Sequence, residues 1–331
     1  MNNKPNIAFV TGGYSGESEI SYKSAATFLK FTDKEKYNIY KIDITPNGWF
    51  YENGEERTEV NINDFSVNHN GNKIKFDAVL IGIHGTPGED GKLQGYLDLI
   101  GLPYTSCDAT TSALTFNKRY TVSVAAFSGI NVARSLHLFK NISYKTSDIS
   151  NALKLPVFVK PNNGGSSIGM SKVNREEEIE PALEKAFKED DQVIVEEFIK
   201  GREFTVGVFR SEGKILVLPI TEVITEKEFF DFEAKYQGKS KEITPAPLEE
   251  EDAGKIRTAA EKIYSIFNCN GVVRIDFILN EADNLPYMLE INTVPGQSEA
   301  SIIPQQVRAM GWDLKDFYSA LIDDALSRRK S

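Results

Sequence analysis

The chain has 331 residues, 40% of them hydrophobic and 26% charged, enough for two or three buried cores, and that balance excludes wholesale disorder and a membrane-embedded protein. Its 38 basic and 48 acidic side chains leave a net charge of -10, and the single basic run, Arg328-Arg329-Lys330, is too short to track a phosphate backbone, which excludes nucleic acid as an expected partner. Two cysteines, Cys107 and Cys269, form no disulfide framework or CxxC pair and suit a reducing cytoplasm, while His69, His84 and His137 lack zinc-site spacing, so any metal should be hard and oxygen-bound.

The first apolar run, Ile7 to Val10, ends at once in Thr11-Gly12-Gly13, too short for a signal-peptide core, and no later stretch reaches membrane-span length. That run, an amphipathic stretch from Glu19 to Phe31 and a second run from Ile39 to Ile44 predict strand, helix, strand, the opening of a βαβ unit. Asn53 to Lys75 is polar and reads as a surface excursion with little regular structure. Ala78 to Ile83 then predicts a strand running into a glycine-rich stretch over residues 82–91, the kind of loop that builds a ligand crevice at strand ends.

Beyond residue 116 the runs are short, at 157–160, 192–198, 203–209, 214–220, 271–279 and 286–291, and predict antiparallel or mixed sheets. Between them Gly254 to Asn268 carries Ile256, Ala260, Ile263 and Phe267 at helical spacing and should pack on a sheet. Residues 221–247, with Phe229, Phe230, Phe232 and Tyr236 but no sustained period, read as a lid.

Three stretches could carry chemistry. Lys160 stands at a strand end before Pro161-Asn162-Asn163-Gly164-Gly165-Ser166-Ser167-Ile168-Gly169-Met170, either a phosphate-approaching loop or a loose hairpin turn. Arg274 and Asp276 share one face of a strand, as do Glu290 and Asn292 on the next; if the strands pair, Asp276, Glu290 and Asn292 converge as Mg²⁺ ligands, the alternative being a solvated face with a cross-strand ion pair. Gly12 to Glu19 joins the first strand and helix; Ser18 reads as a helix cap, and Asp43 leaves a dinucleotide site open, although the glycines are not GxGxxG. Glu196, Glu197 and Glu203 read equally as exposed strand charges.

Six ordered motifs resemble the D-alanine–D-alanine ligase family of the ATP-grasp superfamily over about residues 7 to 310. They are Gly12-Gly13-Tyr14-Ser15-Gly16-Glu17-Ser18-Glu19-Ile20-Ser21, His84-Gly85 with Gly88-Glu89-Asp90-Gly91, Gly165-Ser166-Ser167-Ile168-Gly169, Glu233-Ala234-Lys235-Tyr236, Arg274-Ile275-Asp276, and Glu290-Ile291-Asn292-Thr293 with Pro295-Gly296. The resemblance implies an α/β ATP-grasp fold: a Rossmann-like pre-ATP-grasp domain over 1–112, a small central α+β subdomain over 113–196 and a C-terminal α+β domain over 197–331. It also implies ATP-driven joining of two D-alanines through an acyl phosphate, for peptidoglycan precursors, in a cytoplasmic homodimer.

By the family's pattern Glu17 would hold the first D-alanine's ammonium and form a lid-fastening triad with Ser166 and Tyr236, with His84 near the substrate carboxylate. Arg274 and the Gly296 N–H would stabilise the oxyanion, and Ser301 with the Ile302 N–H would hold the second carboxylate. Lys118, Lys160, Ser166, Ser167 and Lys235 would contact phosphates, Glu196, Glu197 and Ile199 the adenine, and Glu203 the ribose. Asp276, Glu290 and Asn292 would carry two Mg²⁺ ions, or Mn²⁺. Departures are Phe232, Phe198, Asn117 and Gln297, where relatives often have Tyr, Trp, Asp and Met. Tyr236 favours an amine as second substrate; a D-lactate-using or other ATP-grasp ligase is the first rival, a nucleotide-binding module without ligase activity the second, and a dinucleotide oxidoreductase the third.

Overall fold

The computed structural model describes residues 4–165, 168–225 and 240–328. Strand β1 (Asn6–Gly12) pairs in parallel with β2 (Asn38–Thr45) on one side and, once the chain has returned, with β7 (Ala78–Ile81) on the other. Helix α1 (Ser18–Phe31) is the crossover between the first two, as the apolar pattern predicts. Ser18 is not its cap: it lies inside the helix, Glu17 is the N-cap residue, and that side chain makes no capping bond.

Residues 53–75 correct the expectation of irregular structure. After β2 the chain runs antiparallel through β3 (Gly48–Asn53), β4 (Glu56–Asn61), β5 (Ser66–His69) and β6 (Asn72–Ile74), so among the described residues the first sheet has seven strands in the order β6-β5-β4-β3-β2-β1-β7. The polar residues there belong to the wet face of a meander, while Val60, Phe65 and Val67 are buried against the first core. Asp43 is engaged too, its carboxylate accepting the Tyr22 hydroxyl at 2.8 Å and the Arg57 guanidinium at 2.7 Å, which removes it as a ribose ligand.

Period-two alternation on β1 divides the cores. Ala8 and Val10 pack toward helix α2 (Lys92–Leu99) through Leu93 and Leu97, whereas Ile7 and Phe9 pack toward Ala25 and Phe28 of α1. Helices α3 (Ala109–Phe116) and α4 (Lys118–Phe127) lead to a second, antiparallel sheet of β8 (Ser135–Phe139), β9 (Val157–Pro161), β10 (Ser171–Val173) and β11 (Gln192–Glu197), in the order β10-β9-β11-β8. Helix α5 (Thr146–Ala152) contributes Ile149 to its core, and α6 (Ile179–Ala186) covers it with Ile179, Ala182 and Leu183.

The third sheet comprises β12 (Gly201–Ser211), β13 (Lys214–Val217), β14 (Thr221–Thr225), β15 (Ser240–Ile243), β16 (Val273–Asn280) and β17 (Pro286–Asn292). Helix α7 (Glu250–Ile266) buries Ile256, Ala260 and Ile263 on it, each large side chain contributing about 1.5–3 kcal/mol. Of residues 221–247, expected as a lid, 221–225 and 240–243 form the paired strands β14 and β15; Phe229, Phe230, Phe232, Lys235 and Tyr236 lie outside the described residues.

Helices α8 (Ile302–Ala309) and α9 (Leu314–Ser327) close the molecule. Phe317, Tyr318 and Leu321 of α9 share a core with Ile7 and Phe9 of the first sheet and Phe209 of the third. That wedge sets the strand ends of the first sheet against the polar face of the third.

Candidate active site

A cavity of about 370 Å³ lies between the loops following β1 and β7, the faces of β12, β16 and β17, and the turn leading into α8. Glu17 reaches it from the start of α1. Two glycines allow this: a Cβ on Gly85, whose φ is +67°, would stand 2.6 Å from Glu17 Oε2, and one on Gly165 would stand 2.8 Å from Oε1. The glycines of both loops therefore make room for one carboxylate.

Glu89, which the motif reading quoted without a role, also lines the cavity. Its Oε2 accepts the Gly85 N–H at 2.7 Å, yet burial and then the charge of Glu17 push its carboxyl up to about 8. His84 is buried, and desolvation brings its pKa down to about 4, with Arg274 pushing the same way, so the imidazole is neutral at pH 7. An acid flanked by glycines just after a buried strand was the available signal for Glu89.

Strands β16 and β17 pair and bring Arg274, Asp276, Glu290 and Asn292 together, and the cross-strand ion pair of the alternative reading forms as well, Arg274 Nη2 lying 3.7 Å from Glu290 Oε1. Asp276 pairs with Glu290 and Arg274 with Asn292 across the antiparallel ladder, and the Asn292 amide lies 3.4 Å from both carboxylates. Asp276 is buried rather than solvated, and its two oxygens accept Arg274 Nε at 2.9 Å and Nη2 at 2.8 Å. Thr205 on β12 donates to the same carboxylate, a contact no motif indicated. Among the described residues no three His, Cys, Asp or Glu side chains form a metal cluster, because the third donor here is an amide. Three oxygen donors nonetheless fit a hard divalent cation, and Arg274 compensates the charge of Asp276.

Lys118 and Glu203 line the same cavity, and Lys118 Nζ donates to the Gly164 carbonyl at 2.7 Å. Asn117 does the work of an N-cap for α4, accepting the Tyr120 N–H at 3.2 Å, so the departure from Asp costs no cap. Lys160 on β9 and Glu196 on β11 form an ion pair with each other; neither they nor Glu197 and Ile199 are among the residues that line the cavity, and the burial of Glu196 overturns its reading as a surface charge. The Glu197 carboxylate accepts the Lys154 N–H at 2.8 Å, and Phe198 packs on Phe158 with ring centroids 5.9 Å apart. Ile199 follows in the half-buried segment before β12. The loop after Lys160 connects the paired strands β9 and β10, as the hairpin reading has it, and Gly164 and Gly165 within it line the cavity.

At the other end, Gly296, Ser301 and Ile302 line the cavity. Ser301 is the N-cap residue of α8 without capping its own helix; its hydroxyl instead bonds the Ser298 hydroxyl at 2.7 Å. The Ile302 N–H thus stands at a helix N-terminus, where anions are favoured. Ser166, Ser167, Lys235 and Tyr236 lie outside the described residues.

The chain resembles known proteins along nearly all of its length. A family model for the N-terminus of D-ala D-ala ligase matches residues 6–107, and one for its C-terminus matches residues 118–323. The chain is 48% identical over 330 residues to a D-alanine–D-alanine ligase of Parabacteroides distasonis, covering 99% of both chains. It is 47% identical over 323 residues to one of Phocaeicola vulgatus, covering 97% of this chain and 99% of the relative. Similar solved structures include the VanG D-Ala:D-Ser ligase of Enterococcus faecalis, with a TM-score of 0.88 at 31% identity over 97% of this chain and 99% of that one. D-alanyl-alanine synthetase A of Vibrio cholerae has a TM-score of 0.88 at 29% identity, covering 99% of this chain and 100% of that one. A Bacillus anthracis D-alanine–D-alanine ligase complexed with ATP has a TM-score of 0.78 at 26% identity, covering 98% of each chain.

Proposed function

The chain belongs to the D-alanine–D-alanine ligase family, and we propose that its cavity joins two D-alanines, through a D-alanyl phosphate made with ATP, in the cytoplasm. The observation that carries this reading is that Glu17 lines the same cavity as Arg274, Asp276, Glu290 and Asn292. One carboxylate can hold an ammonium group while oxygen donors and a guanidinium receive phosphate and developing negative charge.

In this reading a carboxylate oxygen of the first D-alanine attacks the γ-phosphorus of ATP and ADP leaves. The amine of the second attacks the acyl carbon, and the tetrahedral intermediate expels phosphate. Glu17 orients the first ammonium, Arg274 and the Gly296 N–H face the oxyanion, and Ser301 with the Ile302 N–H holds the second carboxylate. Lys118 and Lys160 take phosphate oxygens, which requires Lys160 to leave Glu196 free for the nucleotide base beside Glu197 and Ile199, with Glu203 on the ribose. Ser166, Ser167, Lys235 and Tyr236 complete the closed site from the family pattern. Asp276, Glu290 and Asn292 would hold Mg²⁺, which neutralises charge on the transferring phosphoryl group.

The division at residues 112 and 196 belongs to the same proposal, with the cavity bounded by all three parts, as does a homodimer, which sedimentation tests. Phosphate release is measured with ATP and Mg²⁺ in the presence of D-alanine, L-alanine or neither, and the product is identified by mass. Release that depends on D-alanine and yields the dipeptide supports the reading; release independent of D-alanine refutes it. Parallel reactions with D-lactate at several pH values separate the depsipeptide-forming alternative.

A further inference from the structure

Ser24 lies on the buried face of α1, where it is 1% exposed, and its hydroxyl stands 3.0 Å from His84 Nε2. The same oxygen accepts the backbone N–H of Gln297 at 3.1 Å. Gln297 directly follows Gly296, and its own side chain is buried, its Oε1 accepting the Tyr318 hydroxyl of α9 at 3.3 Å. One hydroxyl therefore bonds both the imidazole on the loop after β7 and the loop after β17. A second hydroxyl one turn earlier on α1, that of Ser21, accepts the His84 backbone N–H at 2.9 Å.

Counting protons decides the direction of these bonds. The Val294 backbone favours the protonated form of the His84 ring, as a carbonyl facing an imidazole N–H does. Nε2 is committed to Ser24, leaving Nδ1–H for that donation. A buried neutral ring then has a bare lone pair at Nε2, and the Ser24 hydroxyl proton fills it, while the Ser24 oxygen keeps a lone pair for the Gln297 N–H. In this arrangement the Ser24 hydroxyl serves both His84 Nε2 and the Gln297 N–H.

We infer that Ser24 is a positioning residue: it holds His84 as its Nδ1–H tautomer and, through His84 and the Gln297 N–H, pins the loop 293–297 that carries the Gly296 N–H. The consequence for catalysis rests on the ligase reading above. An oxyanion donor works only where it is fixed beforehand, and here the residue next to Gly296 is tied through its backbone N–H to a serine of α1. His84, with both ring nitrogens occupied by the protein, lends the cavity a wall and a brace rather than a positive charge.

The test begins with the unliganded full chain labelled with ¹⁵N. Long-range proton–nitrogen correlation reads the tautomer of each imidazole, and loss of one pattern in His84→Asn assigns it. The expected result at neutral pH is a protonated Nδ1 and a hydrogen-bonded, unprotonated Nε2 for His84; a protonated Nε2 overturns the inference without any variant or assay. In Ser24→Ala the Nε2 signal should move toward that of a ring nitrogen without a donor, and kcat should fall about tenfold with KM for ATP within about twofold of the parent, the size of effect expected for a supporting partner. Ser24→Thr, which restores a hydroxyl, should bring back the Nε2 signal and part of kcat. An unchanged Nε2 signal or unchanged kcat in Ser24→Ala refutes the brace. The nitrogen signals need no turnover, and D-alanine-dependent phosphate release by the parent chain tests the ligase reading by itself, so failure of one is distinguishable from failure of the other.

Discussion

Replacing Glu89 by Gln should make the protein more stable at alkaline pH while leaving acid stability nearly unchanged. The Glu89 carboxyl is raised from an ordinary 4.5 to about 8, first by burial and then by the charge of Glu17, against the opposing effects of the Gly85 and Val294 backbone bonds and Arg274. A native-state pKa above the unfolded one means that the folded protein binds more protons between those values. Stability is therefore lost as pH rises from about 4.5 through about 8, and levels off above. At about 1.36 kcal/mol per pKa unit, that interval amounts to roughly 5 kcal/mol as an upper figure. Glutamine keeps an oxygen for the Gly85 N–H, imitates the neutral acid in shape, and does not titrate. Urea unfolding of the two proteins from about pH 5 to about pH 9, without divalent cation, removes every shared titration from the difference. The variant's advantage should grow to several kcal/mol at the alkaline end. Two stability curves that stay parallel across that range would show that Glu89 ionises normally and that its burial next to Glu17 does not govern its charge.

Gly85→Ala should impair the amino-acid site selectively, because φ of +67° is strained for any Cβ and that Cβ would stand 2.5 Å from Ser15 Oγ and 2.6 Å from Glu17 Oε2; KM for D-alanine should rise about tenfold or more with ATP affinity kept, and an equal loss of both would point to general unfolding. Glu290→Gln should reduce kcat roughly 100-fold or more while the unfolding midpoint stays near that of the parent, and near-normal turnover would remove Glu290 from the metal set. Ile256→Ala, at a side chain with no exposed surface, should cost about 2–5 kcal/mol in denaturant unfolding, and a cost below about 0.5 kcal/mol would contradict its place under the third sheet.

Periodicity made most of the scaffold legible. The 3.6-residue spacing of Ile256, Ala260 and Ile263 located α7, and the pairing of Arg274 with Asp276 and of Glu290 with Asn292 at period two predicted one shared face before any strand register was known. The strands over 53–75 are short and bury few side chains, so their composition resembles that of a loop while backbone pairing, which leaves no mark on side-chain polarity, holds them in a sheet. A serine before an apolar run is the usual cap, but here α1 begins at Ser18, with Glu17 as an N-cap residue whose side chain is not used as a cap.

The amino-acid sequence by itself determined the opening strand-helix-strand unit, helix α7, the shared faces of β16 and β17 and the family, since these follow from local periodicity and from ordered motifs. Only the tertiary structure decided which groups meet across the chain: Thr205 with Asp276, Lys160 with Glu196, Glu89 with Glu17, and Ser24 with His84 and Gln297. The reason is physical. A side chain's charge, tautomer and pKa depend on what surrounds it and on how much water is excluded, and at this site those neighbours come from segments as far apart in sequence as Ser24 and Gln297.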